Sequence, residues 1–396
     1  MLRQVEGSKA VADAVAACAP EVICAFPISP QTHIVEGLSQ LVKSGALKNC
    51  EFINVESEFA AMSVAIGSSA TGARTYTATA SQGLLYMVEA VYNASGLGLP
   101  IVMTVANRAI GGPINIWNDH SDSMSQRDSG WLQLYAENNQ EAVDLHIQAF
   151  KIAEEMSMPV MVCMDGFILT HAYEQVDIPS IDEVAGFLPP FIPRQHLDPA
   201  EPVSIGAMVG PESFTEVKYL AHQRMIESEQ VVKRVAEEFE AHFGRKTGGL
   251  LRSYRTEGAD TIVLALGSIV GTLKDVIDEL QLDGHPIGVV GLTSFRPFPY
   301  EAVALALKDA KRVIVLEKAF STGTGGIVTL DVARAIENLD INDFTLIAGL
   351  GGRPITIASL RNYLLNAMKE NIERTTFLDL EVDTVEIEIN RERAMR

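Results

Sequence analysis

The strongest constraint on the fold is a regular alternation, in residues 1–170, between short apolar runs and segments with helical spacing. The apolar runs have the length of strands, and the segments between them place apolar residues on one face of a helix. Such an alternation predicts a doubly wound α/β domain with a mostly parallel sheet. The predicted strands cover residues 22–26, 52–55, 75–80, 100–105 and 159–164.

Polar side chains follow the predicted strands, at the points where the strands end. The carboxyl ends of parallel strands meet at one edge of a sheet, and ligands of open α/β sheets bind there. We therefore expect these polar side chains to lie close together and to form a site. The residues concerned are Ser29, Glu58, Ser81, Arg108 and Asp165.

The pattern changes twice beyond this domain. Residues 176–202 contain six prolines (179, 189, 190, 193, 199 and 202), which predicts an extended arm, and residues 210–243 predict a long charged helix. A second α/β domain is predicted to begin near Gly258, with its last helix over residues 357–371. The predicted organisation is a first domain (1–175), an arm with a linker helix (176–257) and a second domain (258–396).

Three local predictions depend on short patterns. Ser8 is expected to cap a helix that runs to Cys18, because serine is a favoured N-cap residue. Residues 84–93 predict a single helix. The Gly-rich loop at residues 322–326 follows a strand and opens a helix, but it has neither the GxGxxG spacing nor a GK[ST] ending. A plain strand–helix turn is therefore favoured there, with a nucleotide site as the alternative.

Composition excludes several classes of function. The net charge of -20 argues against binding to nucleic acid or to an anionic membrane. No apolar run is long enough to span a bilayer, and residues 1–8 lack the pattern of a secretory signal, so we expect a cytoplasmic protein. Apolar neighbours and the absence of a CxxC predict core positions for the four cysteines, which are Cys18, Cys24, Cys50 and Cys163.

Glu58 and Arg108 have the surroundings that point most directly to ligand binding. Glu58 lies where an apolar run turns into a helix of small residues, so the helix dipole favours its carboxylate and a flat group could approach it. The alternative is an ordinary surface carboxylate. Arg108 could bind a small carboxylate through two hydrogen bonds. Its alternative is a structural ion pair with Asp119, Asp122 or Asp128.

The loop after Arg108 contains two further features. Asp119-His120-Ser121-Asp122 could suggest a metal site or a catalytic triad, but no set of residues has metal-ligand spacing, so we favour local hydrogen bonding. Ile116 and Trp117 either line a substrate pocket or belong to the core; the sequence leaves both open.

Several motifs along the chain resemble those of one enzyme family. They are Phe26-Pro27-Ile28-Ser29-Pro30-Gln31-Thr32, Val55-Glu56-Ser57-Glu58, Thr79-Ala80-Ser81-Gln82-Gly83, Ala106-Asn107-Arg108-Ala109, the segment from Asn115 to Asp122 with residues 126–131, Met164-Asp165-Gly166-Phe167, Gly267-Ser268 and Arg296-Pro297-Phe298. In this order they resemble the alpha subunits of pyruvate:ferredoxin oxidoreductases, in the multi-subunit 2-oxoacid:acceptor oxidoreductase family. The resemblance covers essentially the whole chain.

The resemblance implies a thiamine-diphosphate pyrimidine-binding domain followed by a transketolase C-terminal-like α/β domain. It implies that Glu58 hydrogen-bonds N1′ of the thiamine pyrimidine, with Ser81, Gln82 and Gly83 also at the cofactor. It places the substrate carboxylate on Arg108, with the Ser29 hydroxyl at the substrate edge, where pyruvate enzymes have a threonine. Glu56 gains no such role and is expected to be a structural acid.

Two absences indicate partner subunits. The chain has no Gly-Asp-Gly followed by an asparagine at the spacing that binds a diphosphate and Mg²⁺, and Met164-Asp165-Gly166 departs from it. It also has no ferredoxin-type run of cysteines. The resemblance therefore implies a diphosphate-binding beta subunit that holds Mg²⁺, and gamma and ferredoxin-like delta subunits, with the [4Fe-4S] clusters outside this chain.

The predicted activity is oxidative decarboxylation of pyruvate with CoA to acetyl-CoA and CO₂, with ferredoxin as the electron acceptor. One alternative keeps this chemistry but uses a branched-chain or aryl 2-oxoacid, or 2-oxoglutarate. The other alternative is a non-catalytic scaffold subunit, against which the joint presence of Glu58, Arg108 and the Ser81-Gln82-Gly83 turn argues.

Overall fold

A computed structural model describes residues 2–369 and 372–395. The predicted helix end at Asn371 and the outer bounds of the predicted domains, at residues 1 and 396, lie outside the described residues. Among the described residues, no helix combines the length and the hydropathy needed to cross a membrane.

The N-terminal part of the chain alternates strands and helices up to one long helix. In chain order, its elements are β1 (Leu2–Glu6), α1 (Gly7–Ala17), β2 (Val22–Ala25), α2 (Thr32–Lys43), β3 (Glu51–Asn54), α3 (Glu58–Ala70), β4 (Thr75–Thr79), α4 (Ser81–Tyr86), α5 (Val88–Gly96), β5 (Ile101–Asn107), α6 (Ser121–Ser125), β6 (Leu132–Tyr135), α7 (Asn139–Met156), β7 (Val160–Asp165), β8 (Tyr173–Asp177), α8 (Ile181–Phe187) and α9 (Phe214–Phe243).

The C-terminal part repeats the alternation with shorter helices. Its elements are β9 (Leu251–Tyr254), β10 (Thr261–Ala265), α10 (Ile269–Leu282), β11 (Ile287–Leu292), β12 (Ser294–Arg296), α11 (Tyr300–Leu307), β13 (Arg312–Glu317), α12 (Val328–Ala335), β14 (Asn342–Ile347), α13 (Ile357–Met368), β15 (Thr375–Phe377) and α14 (Val382–Met395), with a 3₁₀ turn at Leu350–Gly352.

These strands form two large sheets, as the α/β prediction requires. The first sheet has the order β12-β6-β7-β5-β4-β2-β3 and is parallel except at β12. The second sheet has the order β15-β14-β13-β10-β11-β9 and is parallel except at β9. The predicted fold class, two successive α/β units with mostly parallel sheets, is confirmed.

The short strand β12 belongs by sequence to the C-terminal part but pairs with β6 of the first sheet. One apolar cluster also contains residues of both halves, among them Met103 and Trp131 from the first and Ile262 and Phe295 from the second. The two halves therefore share buried surface beside the first sheet. An isolated ribbon of β1 and β8 lies apart from both sheets.

Three local predictions are wrong. Helix α1 is capped at Glu6, and the buried Ser8 hydroxyl instead donates to the carbonyl oxygen of Thr170. The predicted helix over residues 84–93 is interrupted at Met87, which separates α4 from α5. The arm is not extended throughout, because the Ser180–Glu183 capping box starts α8.

All four cysteines are free and buried, as their apolar neighbours predicted.

Candidate active site

The first sheet brings four of the predicted residues to one edge. The chain leaves β2 for β3 on one side and then crosses to β4 and β5 on the other, so the order of strands reverses between β2 and β4. Such a switch point opens a crevice at the carboxyl ends of the strands. Ser29, Glu58, Ser81 and Arg108 follow β2, β3, β4 and β5 in turn.

Glu58 is the first residue of α3, and the Ser57 side chain caps this helix by accepting a hydrogen bond from the Ala60 amide at 3.2 Å. Only 8% of Glu58 is exposed, whereas Glu56 is exposed. Within the described residues, the Glu58 carboxylate has no hydrogen-bond partner. A nearly buried carboxylate is costly unless it is paired, so the position points to a ligand that supplies the missing hydrogen bond. The surface-carboxylate alternative is wrong.

The Ser81-Gln82-Gly83 turn packs directly against Glu58. An ideal Cβ on Gly83 would lie 2.7 Å from Glu58 Oε1, so the Glu58 carboxylate occupies the space that a side chain at position 83 would need. Ser81 has a left-handed φ of 49°, and its hydroxyl donates to the Ala109 carbonyl oxygen at 2.5 Å. The Gln82 amide lies against Gly111. The turn thus joins the ends of β4 and β5.

Arg108 lies beside this turn and is nearly buried. Its Nη1 donates to the Ser29 carbonyl oxygen at 2.9 Å, and its Nε donates to the Asn115 carbonyl oxygen at 3.2 Å. Nη2 has no hydrogen-bond partner among the described residues. Burial lowers the pKa of the guanidinium, and nearby Asp122 opposes this effect. The predicted alternative, a side-chain ion pair with a neighbouring aspartate, is wrong, since the guanidinium bonds to carbonyl oxygens.

Ser29 is exposed, and its hydroxyl forms no hydrogen bond with another described residue. The carbonyl oxygen of Ser29 fixes Arg108, while its side chain is free at the mouth of the crevice. The loop that contains Ser29 therefore presents a hydroxyl beside the guanidinium.

Asp122 organises the site, and the sequence did not single it out from its acidic neighbour Asp119. Its buried carboxylate accepts hydrogen bonds from the amides of Ser81 (2.9 Å), Arg108 (3.0 Å) and Ser123 (2.7 Å) and from the Asn107 side chain (2.8 Å). Burial raises its pKa to about 6, although these bonds oppose the rise. Asp122 thereby sets the positions of Ser81 and Arg108 together.

The predicted residue Asp165 does not face the crevice but holds the two halves of the chain together. Its carboxylate pairs with His120 Nε2 at 2.5 Å and Lys318 Nζ at 2.9 Å, and it accepts hydrogen bonds from the amide and hydroxyl of Ser268. Burial alone would raise the pKa of Asp165, but Lys318 and His120 hold it well below its usual range. His120 is thus engaged in local bonding, as we favoured over a metal.

Ile116 and Trp117 are 43% and 54% exposed, so they do not belong to the core. The Trp117 ring lies 5.0 Å from the Phe167 ring, and its Cβ sits against Gly352 of the second half. The neighbouring Asn115 donates to the Gly351 carbonyl oxygen at 3.1 Å. The loop after Arg108 is therefore anchored to the C-terminal half, with apolar side chains left on the surface.

The Gly-rich loop at residues 322–326 leads into a helix N-terminus that is already occupied. Glu317 accepts hydrogen bonds from the amides of Ile327, Val328 and Thr329 at 2.7–3.0 Å, and from the Thr329 hydroxyl. An anion at this helix end would have to displace a buried carboxylate. The plain strand–helix turn is the better description.

Two family models match the chain. The model for the thiamine diphosphate-binding region of pyruvate flavodoxin/ferredoxin oxidoreductase matches residues 13–237, and the model for pyruvate:ferredoxin oxidoreductase core domain II matches residues 259–360.

Curated relatives match over nearly the full length. Pyruvate synthase subunit PorA of Methanosarcina barkeri is 49% identical, over 92% of this chain and 92% of the relative. The PorA subunit of Methanocaldococcus jannaschii is 45% identical, over 96% of this chain and 98% of the relative. Ketoisovalerate oxidoreductase subunit VorA of Pyrococcus horikoshii is 38% identical, over 96% of both chains.

Solved structures share the fold at low sequence identity. The 2-oxoglutarate:ferredoxin oxidoreductase of Magnetococcus marinus superposes with a TM-score of 0.67 and 18% identity over 94% of this chain, which spans only 65% of that longer chain. An inactive beta4 tetramer form of a split-gene transketolase has a TM-score of 0.54 and 13% identity, over 93% of this chain and 100% of that chain. The family models and the full-length relatives show that this chain belongs to the pyruvate flavodoxin/ferredoxin oxidoreductase family.

Proposed function

We propose that this chain is the alpha subunit of a heteromeric pyruvate:ferredoxin oxidoreductase, which converts pyruvate and CoA to acetyl-CoA and CO₂ and passes two electrons to ferredoxin. The observation that carries the proposal is the nearly buried carboxylate of Glu58 at the sheet edge, for which the described part of the chain supplies no hydrogen-bond partner. It lies in the region that matches the thiamine diphosphate-binding family model. PorA relatives at 43–49% identity support pyruvate as the substrate.

The residues around Glu58 fit the pyrimidine ring of thiamine diphosphate. Glu58 would share a proton with N1′ of the ring, and the missing side chain at Gly83 leaves the space in which the Glu58 carboxylate lies. When bound, the cofactor supplies the nucleophilic carbon that attacks a 2-oxoacid. Glu58 would hold that proton at N1′, a task for which a carboxylate is suited and an amide is not.

Arg108 and Ser29 would bind the substrate on the other side of the crevice. Arg108 has a free Nη2 while its Nη1 and Nε are fixed by carbonyl oxygens, so the guanidinium is already oriented. A carboxylate on Nη2 would form a charge-assisted hydrogen bond. The Ser29 hydroxyl, which is exposed, would donate to the same substrate.

The face around Glu58 has the composition of a subunit interface. Its exposed apolar side chains include Phe59, Tyr86, Ile114, Ile116 and Trp117. An apolar face of this kind marks a protein–protein contact. We assign it to the subunit that binds the diphosphate and Mg²⁺, since this chain lacks the motif for them. We assign the iron–sulfur clusters to further subunits, because the four cysteines here are free and buried and the chain has no ferredoxin-type run of cysteines.

A branched-chain 2-oxoacid is the second candidate substrate, because VorA relatives at 38–39% identity also match nearly the whole chain. The test is CoA-dependent ferredoxin reduction by the purified complex, compared on pyruvate, 2-oxoisovalerate, phenylglyoxylate and 2-oxoglutarate. We expect the highest kcat/KM on pyruvate. An equal or higher value on 2-oxoisovalerate would reverse the order of the two candidates, and no turnover of any 2-oxoacid by an intact, cofactor-loaded complex would reject the function.

A further inference from the structure

We propose that Glu6, His33 and His171 bind a divalent first-row transition metal ion, for which Zn²⁺ is the test ion. Each residue offers one ligand atom, and these atoms lie within 4.8 Å of one another. The three come from the end of β1, the first turn of α2 and the loop between β7 and β8. Because they are far apart in sequence, no ligand spacing reveals them.

Two contacts within this cluster link the three side chains pairwise. His33 Nδ1 lies 2.6 Å from Glu6 Oε1, so a nitrogen and an oxygen ligand already lie together. The imidazole rings of His33 and His171 are in tilted contact, with centroids 4.8 Å apart and planes at 35°. An ion placed among the three ligand atoms would be within reach of all of them, since no two are more than 4.8 Å apart.

His171 is held in place by a contact of the kind that supports metal ligands. Its Nδ1 lies 2.8 Å from the Thr170 hydroxyl, which is buried and also accepts a hydrogen bond from the Phe167 amide at 2.7 Å. Metal-bound histidines usually have such a partner on one ring nitrogen, which fixes the ring and leaves the other nitrogen for the metal. The Phe167 ring, 4.9 Å away, packs on the imidazole.

The residues around the Glu6–His33–His171 cluster are compatible with a bound cation. The cluster borders a surface depression that is also lined by Glu36 and Lys9, and the Lys9 ammonium is held by Asp13 at 2.7 Å. Two imidazoles and one carboxylate suit Zn²⁺ and its neighbours better than Mg²⁺ or Ca²⁺, which prefer oxygen ligands alone. His33 is about half exposed, so water can complete the coordination.

The role of this site is structural. An ion bound there would join α2 to the β1–β8 ribbon, which is paired with neither of the two large sheets. It would stabilise the folded chain by mass action, since the unfolded chain separates its ligands.

The test is a Zn²⁺ titration of the full chain, freed of metal by a chelator and kept apart from the iron–sulfur subunits, in competition with a chromogenic chelator. We expect one tight Zn²⁺ per chain and a rise in the melting temperature on binding. Glu6→Gln, His33→Ala and His171→Ala should each weaken binding by about 100-fold or more, because losing an outer contact alone costs roughly 10- to 100-fold. His222→Ala, on exposed α9, is the matched control and should bind as the parent does.

Co²⁺ absorption separates this site from binding elsewhere. The proposal requires ligand-field bands of a site with nitrogen and oxygen ligands, lost in His33→Ala and His171→Ala. A thiolate charge-transfer band would overturn it, and so would Zn²⁺ affinity within about threefold of the parent in both histidine variants. Circular dichroism of each variant shows that it is folded, so lost binding reports on the ligands.

Discussion

The carboxylate of Glu58 occupies space that only a glycine at position 83 leaves open. An ideal Cβ on Gly83 would lie 2.7 Å from Glu58 Oε1 and 2.6 Å from Thr79 Oγ1, closer than such atoms approach. Gly83 does not have a left-handed φ, so the backbone itself would accept an alanine. What the glycine provides is the contact between α4 and the first residue of α3.

Replacing Gly83 with alanine should therefore move the Glu58 carboxylate without disturbing the helix. We expect kcat/KM of the complex to fall by about 100-fold, since a displacement near 1 Å of a reacting group has an effect of that order. Gly67→Ala is the matched control, because Gly67 lies on α3 with nothing within 4 Å of its would-be Cβ. Full activity in Gly83→Ala would show that Glu58 need not hold its present position.

Changing Glu58 to glutamine tests the carboxylate itself. The amide has nearly the same shape, but it cannot take up the proton that N1′ of the pyrimidine must share. We expect turnover to fall by about 10²- to 10⁴-fold, the usual contribution of a positioned acid–base group. Subunit assembly, measured by gel filtration, should be unchanged. Unchanged turnover in an intact complex would favour the scaffold alternative.

Truncating Arg108 to alanine should act mainly on substrate binding. A charge-assisted hydrogen bond contributes about 1.5–3 kcal/mol, so we expect KM for pyruvate to rise by about 10- to 100-fold, with a smaller change in kcat. Arg108→Lys keeps the charge but loses the planar set of donors of the guanidinium. Its KM for pyruvate should therefore lie between those of the parent and the alanine variant. An unchanged KM in the alanine variant would leave Arg108 as a residue that only ties Ser29 and Asn115 together.

The residues at the sheet edge could be predicted because the ends of strands can be recognised in the sequence. Apolar runs mark where parallel strands stop, and the fold class then brings Ser29, Glu58, Ser81 and Arg108 to one edge. The α/β class and the helix start at Glu58 follow from these local patterns.

The rest depends on contacts that no local pattern encodes. Asp119 and Asp122 look alike in sequence, and only the turn of α6 decides that Asp122 points inward. Strand β12 is three residues long, too short for periodicity to show which sheet it joins. Glu6 and His171 meet only because β1 pairs with β8 beside that loop.

Asp122→Asn should change how stability depends on pH. Burial raises the Asp122 pKa from 3.8 to about 6, so the folded chain keeps a proton that the unfolded chain releases. This contribution to stability is complete below pH 3.8 and is lost as the pH rises through about 6, a change of roughly 3 kcal/mol. Urea unfolding of the full chain from pH 4 to 7 should show the parent losing stability relative to the variant. If the unfolding free energies of the parent and the variant changed in parallel with pH, a raised pKa of Asp122 would be contradicted.

The buried pair of Lys318 and Asp165 should stabilise the contact between the two halves of the chain. Their side chains are 4% and 1% exposed, so Lys318→Met leaves the desolvated Asp165 carboxylate without its lysine partner. We expect the variant to lose about 3–5 kcal/mol of unfolding free energy, and Asp165→Asn with Lys318→Met to lose less than the single changes combined. Lys311→Met, which breaks an exposed pair with Asp260 at 3.5 Å, is the control and should cost less than about 1 kcal/mol. Additive losses would mean that the two charges are stabilised independently, and the link between the halves would then rest on their shared apolar cluster and on β12.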